Sequence, residues 1–161
     1  MDALTFQAEA MRLEKLMYHV SWSILQNADD CADAVQEALT RALQKRRTLR
    51  SMDTFKPWLM RILVNQCNDM LRRQTKRSYQ PLEEETVAVD PPQGPMALDE
   101  AIAALKPEWR VVIVLHYLEG YSVSDMVQTL GVPSGTIKSR LKYARDRLGV
   151  LLRDEWEEGL V

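Results

Sequence analysis

Apolar residues recur every three or four positions along most of the chain, which is the spacing of amphipathic helices. The first such stripe runs from Phe6 to Ile24, a second lies over residues 35–43, and a third lies over residues 59–70. No stretch alternates apolar and polar residues with the period of two that is typical of strands. The pattern therefore predicts an all-α protein, with three helices and one long basic loop in this first part.

Four more helices are predicted after residue 97. Apolar residues at 98–105 form one helical face, and Pro107 suits the first turn of a helix that continues to Leu118. Proline fits this position because a backbone N–H in the first turn of a helix has no partner within the helix, so proline loses no hydrogen bond by lacking one. The next break, at 119–121, separates this helix from the two that follow.

Those last two helices carry clear start and stop signals. Ser122 followed by Asp125 is a capping-box pattern that opens a helix, and Gly131 can end it in the left-handed conformation. After Pro133 a final helix runs to about Leu148. A helix, a glycine-containing turn and a second helix form the plan of the helix-turn-helix motif.

A segment without helical period divides the chain. Residues 78–95, SYQPLEEETVAVDPPQGP, hold four prolines and four acids. We therefore predict a three-helix domain at 5–77, a flexible acidic linker at 78–96, a four-helix domain at 97–153 and an acidic tail at 154–161.

The net charge of −2 conceals a strong segregation along the chain. Residues 41–77 carry a net +9 and residues 101–153 a net +4, whereas residues 1–40 carry −5 and residues 78–100 carry −6. Two basic blocks separated by an acidic one indicate two places where a polyanion can bind. Solvated helix faces are the alternative explanation of such charge runs.

Other classes of function find little support. His19 and His116 each stand alone, no nucleophile has a base at motif spacing, and no glycine-rich loop could hold a phosphate. Cys31 and Cys67 lie far apart without zinc-ligand spacing, so we expect two core thiols. We expect no catalytic residue, no metal and no cofactor.

The longest apolar run, Val111–Leu115, is far shorter than a membrane span, and the expected location is the cytoplasm without membrane insertion.

The last helix carries a candidate DNA-reading surface. With Ile137 inward, short hydroxyls and cations face outward or flank that face, and residues 131–148 carry a net +4. An αα-hairpin with a solvated outer face explains the amphipathicity but not this charge beside a small-residue turn. The residues we predict to bind duplex DNA are Ser134, Thr136, Lys138, Ser139, Arg140, Lys142 and Arg145.

The third predicted helix presents a second such face. Arg61, Asn65, Asn68 and Arg72 repeat at steps of four, three and four, and cations and amides on one face can hold phosphates and unpaired base edges. On the preceding helix a continuous polar face includes Gln36, for which sequence physics alone favours an ordinary solvated surface.

Several strings resemble one bacterial family. HYLEG, GVPSGTIKSRL and ARDRL resemble the C-terminal domain of the extracytoplasmic-function (ECF) sigma factors, the small alternative specificity subunits of RNA polymerase. ADAVQEALTRAL resembles the family's polymerase-binding helix, and FKPWLMRILVNQCNDMLRR resembles its promoter-melting helix. The resemblance implies that residues 134–145 bind the minus-thirty-five element and that residues 46–73 melt the minus-ten element. Pro133 stands where the family often has a capping serine, which makes Ser134 the alternative cap and leaves the register of the recognition helix open.

The same resemblance implies partners and further site residues. The partners are promoter DNA, core RNA polymerase through the clamp coiled coil of its largest subunit and its flap, and an anti-sigma factor, which in the family is often membrane-anchored. Trp58 is more often a core residue than a stacking platform. The minus-ten residues are Arg46, Arg47, Arg50, Trp58, Arg61, Asn65, Asn68, Arg72 and Arg73, and the polymerase-binding residues are Asp33, Gln36, Glu37, Thr40 and Arg41. An ordinary helix-turn-helix regulator with an N-terminal interaction domain is the alternative function, and it predicts DNA affinity without polymerase and dimeric half-sites.

Overall fold

The computed structural model describes residues 1–78 and 97–152, and both ranges are helical. The predicted linker, most of which is residues 79–96, and the predicted tail lie outside the described residues. The helices are α1 (Ala3–Arg12), α2 (Glu14–Leu25), α3 (Ala28–Lys45), α4 (Phe55–Ser78), α5 (Leu98–Ala103), α6 (Pro107–Ile113), α7 (Val123–Leu130) and α8 (Ser134–Leu151). The all-α prediction is confirmed for these two ranges.

The first stripe, predicted as one helix, is divided in two. Leu13 ends α1 with a non-helical ψ of 0°, and its N–H donates to the carbonyls of Ala10 and Met11. The periodicity continues across the break because both helices turn their apolar residues to one core, including Phe6 and Met17. Periodicity alone therefore could not reveal the interruption at Leu13.

The basic loop contains two short 3-10 turns, Arg46–Thr48 and Met52–Thr54, between α3 and α4. Its polar composition had indicated that it is not helical throughout, and this is confirmed. The loop is anchored at its end by Phe55, which is buried and meets Phe6 edge to face with ring centroids 5.9 Å apart. This contact fixes where α4 starts.

Helices α3 and α4 pack along each other around the two cysteines. Cys31 and Cys67 are both buried and free, as expected for core thiols. Burial, together with the neighbouring Cys31, raises the pKa of Cys67 to about 12, so its thiol stays protonated at neutral pH. The pair belongs to the core of the first domain.

Helix boundaries in the second half follow the predicted signals closely. Pro107 is the first residue of α6, which continues as a π-helical turn over Val114–Leu118. Ser122 and Asp125 make both hydrogen bonds of the capping box, and Gly131 ends α7 with φ of 70°. The final helix is three residues longer than predicted and ends at Leu151.

The two halves share one hydrophobic core. Helix α2 packs against α6, and α4 packs against α7, the first helix of the helix-turn-helix motif. Met126 of α7 and Leu115 of the π-helical turn after α6 are fully buried, as are Leu59 and Leu63 of α4. This packing brings the helix-turn-helix motif directly beside the predicted promoter-melting helix.

Candidate nucleic-acid interface

The residues predicted to bind duplex DNA lie on the side of α8 that faces away from the core. Ile137, Leu141 and Ala144 are buried and hold the helix against α6 and α7. Of the predicted residues, Thr136 and Arg140 are half-buried, and Ser134, Lys138, Ser139, Lys142 and Arg145 are exposed. Gly135 has open space where a side chain would be, so a phosphate can approach the backbone at this turn.

The start of α8 is now defined. Pro133 is the N-cap residue, with φ of −61° and ψ of 154°, and Ser134 is the first helical residue. The alternative in which Ser134 caps the helix is therefore wrong, because the fixed φ of proline already places the chain for helix entry. No side chain caps this N-terminus. Its free N–H groups and dipole favour an anion at this end.

Aromatic side chains support the cations around α8. Arg145 donates a hydrogen bond of 3.1 Å from Nη1 to the hydroxyl of Tyr117. Tyr143 stacks on Trp109 with centroids 6.2 Å apart, and Lys106 lies 4.9 Å from the centroid of Trp109 on its ring face. Sequence reasoning had missed Tyr117, because it lies 28 residues from Arg145 along the chain. These contacts orient part of the basic surface before any ligand binds.

The predicted face of α4 is formed as expected. Arg61, Asn65, Asn68, Arg72 and Arg73 are exposed, while Leu59, Leu63, Val64 and Cys67 of the same helix are buried. Arg72 pairs with the carboxylate of Asp69 one turn earlier. The repeat of four, three and four therefore places the cations and amides on one surface of a single long helix.

The predicted minus-ten residues in and next to the loop before α4 differ in their exposure to solvent. Arg47 and Arg50 are exposed. Arg46 is half-buried: its Nη1 donates to the carbonyl of Leu43 at 2.8 Å, and its Nε is buried without a partner among the described residues. Trp58 is half-buried and packs against the core beside Phe55, with centroids 5.9 Å apart. Packing thus accounts for Trp58, as its sequence position had favoured.

The polar face of α3 lies beside an apolar groove. Asp33, Gln36, Glu37 and Thr40 are exposed, Arg41 is half-buried, and Arg41 pairs with Glu37 at 3.1 Å. The groove has a volume of about 530 Å³, runs between α1 and α3, and is lined by Met11, Tyr18, Leu39 and Leu43 among others. Sequence analysis had missed this groove, because it forms only when α1 packs beside α3. Met11 and Leu43 line this groove and are exposed, so they add an apolar area next to the polar face of α3.

The contact between the two halves adds residues that sequence analysis did not assign. The guanidinium of Arg110 is buried, and burial lowers its pKa. It donates across the domain boundary to the carbonyls of Ser23 and Ile24, the latter at 2.9 Å. Lys56 lies 5.4 Å from the ring centroid of Tyr121. The local sequence around Arg110 gives no sign of its contact with Ile24, because Ile24 lies 86 residues away.

This geometry defines a two-domain helical protein with two basic surfaces, one of them a helix-turn-helix motif. No group of three or more His, Cys, Asp or Glu side chains suited to a metal occurs within residues 1–78 and 97–152. In the same ranges, no helix is long and apolar enough to cross a bilayer. The class that this fold defines is an all-α protein with a helix-turn-helix motif.

Comparison with known proteins identifies the family. Residues 10–77 match the Sigma-70 region 2 model and residues 96–148 match the Sigma-70 region 4 model. The ECF RNA polymerase sigma factor SigM of Mycobacterium tuberculosis is 32% identical over 154 residues, covering 94% of this chain and 79% of that protein. The RNA polymerase sigma factor SigV of Bacillus subtilis is 29% identical over 143 residues, covering 86% of this chain and 85% of that one.

Solved structures agree with this assignment. The sigma factor RpoE of Bartonella quintana, determined in complex with the anti-sigma factor NepR, has a TM-score of 0.72 and 27% identity, covering 92% of this chain and 97% of that chain. The structure of CnrH with the cytosolic domain of CnrY has a TM-score of 0.68 at 22% identity and supports the fold alone. The chain belongs to the ECF sigma factors of the sigma-70 family. It is an alternative sigma factor that directs promoter-specific transcription.

Proposed function

We propose that this sigma factor reads its promoter through the two basic surfaces described above. The outward face of α8 binds the minus-thirty-five element as a duplex, and the loop and face at residues 46–73 bind and melt the minus-ten element. The single observation that carries the proposal is that cations and amides share one exposed face of α4, while cations and hydroxyls share the outward face of α8. The first domain at 5–77 and the second at 97–153 therefore have separate tasks.

The α8 face suits the major groove of duplex DNA. A recognition helix contacts base edges with its N-terminal half, where Thr136, Lys138 and Ser139 lie. Because Pro133 is the N-cap residue, Ser134 and Gly135 occupy the first turn of α8 and stand at the positions that meet a phosphate. Arg140, Lys142 and Arg145 lie one to two turns further and serve backbone contacts better than base contacts.

The α4 face suits a melted strand. Asn65 and Asn68 can accept and donate hydrogen bonds to unpaired base edges, while Arg61, Arg72 and Arg73 hold phosphates. Unstacking a base costs a few kcal/mol, and basic neighbours such as Arg47 and Arg50 help to recover this free energy on binding. Since Trp58 packs against the core, we assign it the support of this loop rather than base stacking.

The α3 face suits core RNA polymerase. Asp33, Gln36, Glu37, Thr40 and Arg41 form one polar surface, and the adjoining groove of about 530 Å³ offers apolar area for a helix of the partner. A mixed surface of this kind, with an apolar centre and a polar rim, is typical of stable protein contacts. The clamp coiled coil of the largest polymerase subunit is the proposed partner here, and the flap is the proposed partner of the second domain.

The remaining assignments concern setting and regulation. We assign the protein to the cytoplasm, where promoter DNA and polymerase are found, and we assign it no catalytic step of its own. Because RpoE of B. quintana was determined in complex with the anti-sigma factor NepR, an anti-sigma factor is the proposed regulator of this chain as well.

In vitro transcription with purified core polymerase and a randomised promoter library tests the function. We expect specific initiation from a subset of promoters that core polymerase alone does not use. A matched variant, Asn65→Ala/Asn68→Ala, should lose initiation while retaining its helical circular dichroism. A folded wild-type protein that binds DNA but directs no initiation from such a library would contradict the assignment and favour an ordinary helix-turn-helix regulator.

A further inference from the structure

An aromatic pair joins α6 to α8 beside the predicted duplex-binding residues. Trp109 of α6 stacks on Tyr143 of α8, with ring centroids 6.2 Å apart and an angle of 28° between the ring planes. Tyr143 is 59% exposed, and Trp109 is half-buried. The stack therefore holds a largely exposed tyrosine in a position where another molecule can reach it.

Lys106 adds a cation to this pair. Its Nζ lies 4.9 Å from the ring centroid of Trp109, over the ring face. Lys106 is the N-cap residue of α6, where the helix dipole disfavours a cation, so the stability of α6 does not explain this charge. Within residues 1–78 and 97–152, no carboxylate forms an ion pair with Lys106. The ammonium group is thus held over Trp109 and is open to an anion from outside.

This group lies next to one flank of α8. Arg140 and Lys106 line the same cavity of about 360 Å³, and Arg140 lies one turn before Tyr143 on α8. Glu108 lines the cavity as well, but in the part of the chain that the structure describes it pairs with neither cation. Cations and an exposed phenol therefore continue the duplex-binding surface from α8 onto the start of α6, outside the helix-turn-helix motif.

Arg145 lies on the other flank of α8. Tyr143 and Arg145 are two residues apart, which is about 200° around a helix of 3.6 residues per turn. Nη1 of Arg145 donates to the hydroxyl of Tyr117 at 3.1 Å. Each flank of α8 is therefore next to a cation that contacts an aromatic residue outside α8, Tyr117 on one side and Trp109 on the other.

Two such flanks suit the shape of the major groove. The groove is about 12 Å wide, which admits one α-helix whose diameter with side chains is about 10–12 Å. A phosphate strand borders the groove on each side, so a helix that lies in it turns one flank to each strand. Cations on both flanks can therefore contact both strands.

We propose that Lys106, Trp109 and Tyr143 form a second phosphate-binding element for the duplex, which contacts the strand opposite to the one that Arg145 contacts. Lys106 pairs with a phosphate, and the Tyr143 hydroxyl donates to a neighbouring phosphate of the same strand. Trp109 is a positioning residue that holds both side chains. The proposal rests on the proposed function of the α8 face, and it adds a residue of α6 that fixes how α8 is oriented in the groove.

A double-mutant cycle between protein and DNA tests this element. Sigma factor reconstituted with core polymerase binds a promoter selected from the transcription library and already melted at the minus-ten element. Single methylphosphonates then neutralise one phosphate at a time on either strand around the minus-thirty-five element. Lys106→Ala should weaken binding roughly five- to tenfold at about 0.1 M salt and reduce the slope of log affinity against log salt by about 1.

The position of the contact follows from the coupling between the two changes. At one phosphate, neutralisation should weaken wild-type binding but cause no further loss in Lys106→Ala. Arg145→Ala should show the same coupling to a phosphate on the other strand. Lys15→Ala removes an exposed cation of α2 and is the matched control, which should keep the wild-type sensitivity at every phosphate.

Variants of the aromatic pair separate contact from positioning. Tyr143→Phe keeps the ring, should bind roughly two- to tenfold more weakly, and should lose sensitivity at a phosphate next to that of Lys106. Trp109→Leu should weaken the coupling at both phosphates, and Trp109→Phe should restore most of it. The phosphate that couples to Arg145 should stay as sensitive as in wild type in all three variants, which a general loss of folding would not allow.

Several results would overturn the proposal. One is wild-type sensitivity of Lys106→Ala at every phosphate, and another is coupling of Lys106 and Arg145 to the same strand. A Trp109→Leu protein with lower thermal stability but unchanged coupling would show that the stack serves helix packing only. If Arg145→Ala couples to no phosphate either, the proposed function of the α8 face fails, whereas coupling by Arg145 alone refutes only the second element.

Discussion

The outward faces of α4 and α8 carry similar side chains in different surroundings. Both present cations and small polar groups at helical spacing, and both rest on buried apolar side chains. Yet the five predicted cations and amides of α4 are all exposed, whereas Thr136 and Arg140 of α8 are half-buried, and Arg140 shares a cavity with Asn68 of α4. The difference shows that a surface whose side chains suit nucleic acid is not necessarily accessible to it, because accessibility depends on what the fold packs against that surface.

The largest expected effect concerns whether the two surfaces rest on one cooperative core. Leu63→Ala under the α4 face and Leu141→Ala under the α8 face each remove a buried side chain, which costs about 2–5 kcal/mol of unfolding free energy. Because the halves share one core, each variant should shift the whole urea transition followed by circular dichroism. Exposed Leu4→Ala is the control. Two separate transitions, each moved by only one variant, would show that the domains fold independently.

A second prediction separates the tasks of the two faces. Arg61→Ala/Arg72→Ala should reduce initiation from duplex promoters by about tenfold or more, since each lost contact to charge or base edge contributes about 1–3 kcal/mol. A template already melted at the minus-ten element should rescue much of this loss. Lys142→Ala, on the other face, should gain no such benefit from the melted template. Equal rescue of both variants would remove the distinction between a melting face and a duplex-binding face.

A third prediction concerns the phosphate contacts assigned to α8. Lys142→Ala and Arg145→Ala should each weaken duplex binding to a similar extent across sequences and reduce the slope of log affinity against log salt by about 1. Fluorescence anisotropy with promoter and scrambled duplexes, at several salt concentrations, provides the measurement. A loss confined to the promoter sequence would instead identify the altered residue as a base reader.

The smallest effect concerns the capping box that starts α7, the helix between the two faces. Ser122→Ala should lower the unfolding free energy by about 1 kcal/mol, whereas Ser124→Ala, also on the surface of α7, should change it little. Thermal unfolding at neutral pH compares the two variants. An equal loss in both would indicate that the Ser122 hydroxyl contributes nothing specific as a cap.

The capping box also predicts a dependence on acid. Hydrogen bonds from Ser122 hold the pKa of Asp125 below its ordinary value of 3.8. The stabilisation is therefore present above pH 3.8 and is lost as the pH falls through the lower pKa of the folded protein. The backbone N–H of Ser122 makes the larger contribution and the hydroxyl the smaller one, so Ser122→Ala should remove only part of this acid dependence, which denaturant titrations between neutral and acidic pH can detect.

Local sequence determined the elements of this protein to a large extent. The capping box, the left-handed Gly131 and the proline at the start of α6 each act through backbone groups within a few residues, so their outcome could be predicted without tertiary information. The faces of α3, α4 and α8 followed in the same way, because helical periodicity alone fixes which side chains share a side. The assignment of these faces to polymerase and DNA needed the family resemblance in addition.

Tertiary structure decided what local pattern could not encode. The break at Leu13 leaves the apolar period intact, and Tyr117, which orients Arg145, is distant in sequence. The partners of Arg110 could not be predicted either. Arg110 donates to the backbone carbonyls of Ser23 and Ile24, and every residue type has such a carbonyl. Sequence by itself thus determined two basic helical faces. Only the packing of α2 and α4 against α6 and α7 decided that the two faces meet beside one cavity, because long-range contacts depend on the shared core rather than on neighbouring residues.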